Sequence, residues 1–191
     1  MAKEEKRLEI LKAALKVISE MGFEGAKMED IAKGAGVGKG TIYEYFESKN
    51  TLFTEMVHSC TKLFQDGLAD TLADGKNLEE KIRNLSAHNA HFIASHALLF
   101  NAPVAHQSFP EETKEQIKKD WNAFFATIEE EVGKAMLSQE IRSDLDPEMI
   151  TAIIIGGLNQ YSVKKLFGDN LTPEEINHAG IAQLMIAGLK Q

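Results

Sequence analysis

The 191-residue chain has one cysteine, four prolines, one tryptophan and no long apolar run. A lone Cys60 cannot close an internal disulfide. That excludes the disulfide-stapled secreted scaffolds and makes a reducing, cytoplasmic setting the expectation. No apolar stretch reaches the roughly 20 residues of a membrane-spanning helix. The opening MAKEEKRLEI has no apolar block of the kind a signal peptide needs, so no membrane partner is expected. Also missing are H-E-x-x-H and C-x-x-C patterns, a phosphate loop and a nucleophile–base pair. An enzyme is therefore not expected, nor is a cofactor. His88 and His91 are three apart and can share a helix face, with His96 and His106 nearby in sequence. Two helical histidines without a ligand motif do not define a metal site, and none is assigned.

No convincing strand alternation appears. Ile153-Ile154-Ile155 has β-propensity but lies inside a helical pattern. What is present is 43% hydrophobic and 26% charged residues, enough for a packed core in one or two domains. The net charge is −8, unevenly spread. Residues 1–50 hold nine basic and nine acidic side chains; the remainder holds twelve and twenty. The second part is thus a poor surface for DNA, because its field repels phosphates.

Helical signals run throughout, and about nine helices are expected. Leu8, Leu11, Leu15 and Ile18 mark one face of a first helix, which Gly22 can end in a left-handed cap. Short helices fit Met28 to Ala35 and Lys39 to Phe46, with Gly36 between them. Ser48 can cap a long helix carrying Leu52, Met56, Cys60, Leu63 and Phe64. Asn77 with Glu80 makes a capping-box pattern. Pro110-Glu111-Glu112 reads as an opening before Ile117, Trp121, Phe124, Ile128, Val132 and Met136. Asp146-Pro147 reads as a cap followed by a first-turn proline. Thr172-Pro173-Glu174-Glu175 is the strongest start signal of all. The composition shift near residue 50 is the one hint of a boundary.

Asp30 to Ile42 fits a helix-turn-helix, two short helices crossing through a tight turn. Ile31, Ala35, Val37 and Ile42 are apolar where the helices must pack, and Gly36 tolerates the positive φ of a turn. Gly38, Lys39, Gly40 and Thr41 form the leading end of the second helix. The glycines let backbone approach phosphate or base edges, while Lys39 and Thr41 bring charge and a hydroxyl. Tyr43 and Tyr45 can pack their rings while a phenol reaches a phosphate. Read alone, Tyr45 and Phe46 fit core packing as well.

Gly22-Phe23, Ile31-Ala32, Ala35-Gly36-Val37, Gly40-Thr41-Ile42-Tyr43, Tyr45-Phe46, Ser48-Lys49 and Leu52 resemble, in order and spacing, the DNA-binding signature of the TetR family of transcriptional regulators. The resemblance covers about residues 7–53. It implies an all-α fold, with an N-terminal three-helix helix-turn-helix domain over 1–47 and a helical effector-binding and dimerisation domain over 48–191. It implies that Lys39, Thr41, Tyr43 and Lys49 face double-stranded operator DNA, with Gly38 and Gly40 at the same leading end. The family places Thr or Ser where Ala26-Lys27 stand; Lys27 can replace the phosphate contact but not the hydroxyl cap. It favours Ser where Gly38 stands, and glycine is an acceptable cap.

In the second part, Ile82, Leu85, Asn89, Phe92, His96 and Leu99 recur at helical spacing. Two polar residues in an apolar stripe need partners. Either protein groups satisfy them, or Asn89 and His96 are polar anchors of an apolar pocket walled by Phe92, Trp121, Phe124 and Phe125. The resemblance implies a small-molecule effector in this region, of unknown identity. Met149, Ile150, Ile153, Ile154 and Leu158, then Ile176, Ile181, Leu184, Met185 and Leu189, spread apolar coverage wider than an intrachain core needs. The family implies a homodimer through these last two helices. The expected function is a repressor released by its effector. A DNA-binding architectural or partner-recruiting protein of the same fold, without effector, is the alternative.

Overall fold

Backbone turns dictated by single residues set the N-terminal architecture. In the computed structural model, which describes residues 3–96 and 109–190, Gly22 has φ +74° and ψ 165° and kinks the first helix, α1 (Lys3–Gly25). Gly36 has φ +66° and turns the chain between α2 (Met28–Gly34) and α3 (Lys39–Tyr45). Ser48 Oγ accepts the Thr51 amide at 3.1 Å and starts α4 (Lys49–Ala73).

The later helices begin where their caps stand. Asn77 Oδ1 accepts from the Glu80 amide at 2.8 Å ahead of α5 (Leu78–Ser95). The Glu80 carboxylate returns to the Lys76 amide, one residue before the cap. Helix α6 (Glu111–Leu137) follows Pro110. Asp146 accepts from the Glu148 amide at 2.9 Å and Pro147 opens α7 (Pro147–Val163). A π-turn, Lys164–Gly168, closes it.

Thr172-Pro173-Glu174-Glu175 does not open the last helix. Its capping box forms, but it caps a single 3-10 turn, Pro173–Glu175. Ile176 then turns extended, at φ −74° and ψ 134°, with its side chain buried. Asn177 caps afresh, accepting from the Gly180 amide at 2.9 Å, and α8 (His178–Ala187) starts there. The described residues are all helical, with eight α-helices and no strand. None of these helices is long and apolar enough to cross a membrane.

The described residues group into two compact units: those within Met1–Lys62 and His96–Asp120, and those within Leu63–Ser95 and Trp121–Gln191. Ile10, Leu11, Ala14, Ile18, Ile31, Ile42, Phe46, Leu52, Phe53 and Met56 fill the core of the first. The buried face of α1 is therefore rotated from the one its leucines mark. Leu8 is 52% exposed, and Ile10 and Ala14 take the inner positions. The core of the second unit runs through Leu68, Leu78, Ile82, Leu85, Ile128, Val132, Ile150, Ile154, Leu158 and Ile186. In α5 the buried stripe is Ile82, Leu85, Ser86, Ala90 and Ile93, with Asn89 and Phe92 half-buried at its flank. Leu99 and His106 lie outside the described residues. Cys60 is buried, and burial pushes its thiol up to about 11, so it packs as a small apolar group.

Candidate functional site

The helix-turn-helix is held from beneath and left open above. Ile31, Ala32 and Ile42 are buried, and the Val37 amide bonds to the Ala32 carbonyl at 2.9 Å across the turn. Gly38, Lys39, Gly40 and Tyr43 are exposed; Thr41 and Lys49 are half-buried; Lys27 is exposed. Tyr43 is 46% exposed, whereas Phe46 is sealed and Tyr45 packs against the core. Nothing lies within 4 Å of where a Cβ on Gly40 would stand. The free protein thus has no need of a glycine there for space.

No side chain caps the start of α2 or α3: Lys27 and Gly38 stand at the N-cap positions without a side-chain bond. The first amides of α3 are orphan donors at the positive end of a helix dipole. Lys39 reaches back to Glu29, and that hydrogen bond and charge raise the lysine and lower the glutamate from their ordinary pKa values. Lys39 is therefore a firmly protonated cation in an exposed, exchangeable pair.

Lys49 is arranged differently. Its Nζ donates to the carbonyls of Phe23 at 2.8 Å, Ala26 at 3.2 Å and Glu24 at 3.4 Å, and lies 4.5 Å from the Phe23 ring centroid. All three ammonium donors are directed at the chain just beyond the Gly22 kink. Arg7 shows a second such hold. It pairs through two nitrogens with Glu55, donates from Nη1 to the Tyr45 carbonyl at 3.1 Å, and sits 4.5 Å over the Phe46 ring. The Glu55 hydrogen bond outweighs burial and raises the guanidinium's pKa further. Sequence reasoning missed Arg7 and Glu55, because nothing local marks partners 48 residues apart.

In the second unit the rings of Phe92, Phe124 and His88 gather about Phe64. Its ring centroid is 5.0 Å from Phe92, 5.2 Å from Phe124 and 4.7 Å from the His88 ring. Trp121 meets Phe124 at 5.7 Å but is 52% exposed. Phe125 packs against the main core of this unit. Asn89 Nδ2 donates to Ser162 Oγ at 3.3 Å, and His88 Nε2 donates to the Phe64 carbonyl at 2.9 Å. His96 groups with the other unit. His91 is exposed, 3.7 Å from Glu174, while His88 is turned to Phe64, so the two histidines do not converge. Among the described residues no three His, Cys, Asp or Glu side chains gather as a metal site.

The apolar residues of α7 and α8 divide. Ile150, Ile154, Leu158 and Ile186 are buried, whereas Ile153 is 60% and Leu184 74% exposed. Met149 is exposed as well.

Residues 10–56 match the family model described as bacterial regulatory proteins, tetR family. Over nearly its whole length the chain is similar to the fatty acid metabolism regulator protein of Bacillus subtilis (strain 168). The two are 22% identical, covering 98% of this chain and 97% of that protein. The fold is shared with Bacillus subtilis FadR, solved in complex with stearoyl-CoA: TM-score 0.76 and 19% identity, covering 94% of this chain and 95% of that one. It is shared too with AibR, solved with isovaleryl coenzyme A and operator DNA: TM-score 0.73 and 23% identity, covering 96% and 97%.

Proposed function

We propose that this chain, which belongs to the tetR family of bacterial regulatory proteins, represses transcription by binding operator DNA as a homodimer and is released by a small effector. The observation that carries the DNA reading is the exposed leading end of α3, set over a sealed core within the matched segment 10–56. Small and cationic residues at an uncapped helix start suit a major groove lined by phosphates. In this reading Lys39 exchanges Glu29 for a base edge or phosphate. Thr41 and Tyr43 hold phosphates, Gly38 and Gly40 permit close approach, and Lys27 adds charge. Lys49 would hold the DNA backbone only by giving up one of its carbonyl partners.

A two-fold dimer through α7 and α8 sets two reading heads on half-sites roughly 34–36 Å apart. The exposed Ile153 and Leu184 support that assembly, because apolar groups of this size in water favour a partner. Helix α4 contributes to both units, so an effector that alters its tilt in one changes its first turns in the other. The effector region is read as the surroundings of Phe64, Phe92, Phe124, Phe125, Trp121 and Asn89, all within the second unit. Two relatives of the same fold carry acyl-CoA ligands, which makes an acyl-CoA the effector class to test first. The setting is cytoplasmic and the protein is not an enzyme.

A duplex enriched from a randomised pool by the full-length chain tests the first half of this reading. Nanomolar binding that a long-chain or branched acyl-CoA weakens supports both halves. Failure to enrich any sequence at low salt removes the repressor reading, and equal affinity with and without acyl-CoA removes this effector class. The second reading, a DNA-binding protein without effector, draws on Asn89 and His88 already bonding within the protein. Loss of chemical-shift response to every acyl chain length would favour it.

A further inference from the structure

Helix α3 is a poor helix by its own means. It is seven residues long, has no side-chain cap at its N-terminus, and begins Lys-Gly-Thr. An isolated turn-and-a-half of this composition does not persist in water. Ile42 anchors its inner side. At its C-terminal end the chain turns extended at Phe46, φ −139° and ψ 117°, and the last carbonyls of a helix are left without intrahelical donors.

Arg7 supplies what that end lacks. Its Nη1 donates to the Tyr45 carbonyl at 3.1 Å, and its guanidinium plane lies over the Phe46 ring at 4.5 Å. Its other nitrogens grip Glu55 of α4, which fixes the plane. A cation at the C-terminus also complements the helix dipole. One side chain from α1 thus ties the end of α3 to α4, and only a planar fork can serve the carboxylate and the carbonyl together. The guanidinium and Glu55 are each about 30% exposed, so the ion pair itself is a modest source of stability.

We infer that Arg7 is a positioning residue for operator recognition: it fixes the angle of α3 by holding the Tyr45 carbonyl and the Phe46 ring, without itself touching DNA. This rests on the repressor reading above. Arg7→Lys keeps a charge beside Glu55 but cannot serve both acceptors. Arg7→Met keeps the stem and loses every polar contact.

Three readouts on the full-length protein test this. The first is hydrogen–deuterium exchange of the amides of residues 42–46. The second is the salt dependence of binding to the duplex that the wild-type chain enriches from a randomised pool. The third is binding to a mixed-sequence duplex of equal length. In both variants, exchange over 42–46 speeds up. Affinity for the enriched duplex falls about tenfold or more, as for loss of one hydrogen bond to a charged group. Mixed-sequence affinity and the salt slope stay as in wild type, and Arg7→Lys keeps a thermal midpoint near wild type. Unchanged exchange over 42–46, or unchanged affinity for the enriched duplex, overturns the inference. So does a salt slope reduced by about one in both duplexes, which marks a direct phosphate contact. Should the wild-type chain enrich no duplex, the repressor reading falls and takes this role with it, while the exchange data still report whether Arg7 holds α3.

Discussion

The two units present opposite faces to their surroundings. In the first, what stands exposed at α3 is small or polar, Gly38, Lys39, Gly40, Tyr43 and Glu44, above buried Ile42 and Phe46. In the second, α7 and α8 leave the large apolar side chains of Met149, Ile153 and Leu184 exposed, alongside Glu148, Gln160 and Gln183, while several other polar groups are turned inward. There Ser86 Oγ meets His178 Nδ1 at 2.8 Å, His178 Nε2 donates to the Pro173 carbonyl at 2.8 Å, and Asn89 donates to Ser162. A polar, uncapped helix start suits a hydrated polyanion; an apolar helix pair suits another protein surface. The same element type can therefore suit two kinds of partner, and the difference lies in which side chains each helix leaves unsealed.

The sharpest way to break this contrast is to charge the apolar face. Burying a leucine is worth about 1.5–3 kcal/mol, and a two-fold interface buries each residue twice. Leu184→Glu should therefore raise the dimer dissociation constant by about 100-fold or more. Sedimentation equilibrium reads this, and thermal stability of the monomer should hardly change, because the side chain is 74% exposed. A variant still dimeric at micromolar concentration would assign the exposed apolar residues some other role.

Truncating what lies beneath the polar face comes next. Ile42 is fully buried, and Ile42→Ala should cost about 2–5 kcal/mol in urea unfolding. A cost near zero would mean that α3 is not held from below. Gly36→Ala should cost about 1–2 kcal/mol, since φ +66° is left-handed while the space around it is open. That penalty is conformational, so Gly36→Asn should recover part of it.

Gly40→Ala sharpens the contrast through a small change of opposite sign. The site is open and helical, so the free protein should gain about 0.5–1 kcal/mol in stability. Operator binding should nonetheless weaken if DNA approaches there. Stability and affinity both rising would move the interface away from Gly40.

The smallest effect expected is one of pH in the second unit. Burial pushes the Glu131 carboxyl up, but hydrogen bonds from Lys134 and Lys81 outweigh it and leave the group below its ordinary 4.5. Its contribution is therefore fully present above 4.5 and fades as pH falls through the lowered folded value. Glu131→Gln should flatten that part of the stability–pH curve, and an unchanged acid limb would show that the pairing with Lys81 and Lys134 adds nothing.

Much of the fold was legible because its signals act over one helical turn. Gly36, Ser48, Asn77 and Asp146 each perform the turn or cap that their chemistry predicts. The helix-turn-helix was legible for the same reason, its apolar positions and glycines being spaced by the turn itself. The aromatic group at Phe64 was only half legible. The sequence marks Phe92 and Phe124, but it presents Phe64 only as one apolar residue of the α4 stripe, and Trp121 stands half in solvent.

The amino-acid order alone determined the helical class, the turn at Gly36, the helix starts at Ser48, Asn77 and Asp146, and the polar leading end of α3. Tertiary packing decided which face of α1 is inner, why a complete capping box at Thr172 yields one turn, and where the Lys49 and Arg7 donors are spent. The physical reason is range. A cap or a left-handed turn is settled by neighbours a few residues away. A carbonyl held from 38 residues distant, as Tyr45 is by Arg7, exists only once the helices have packed.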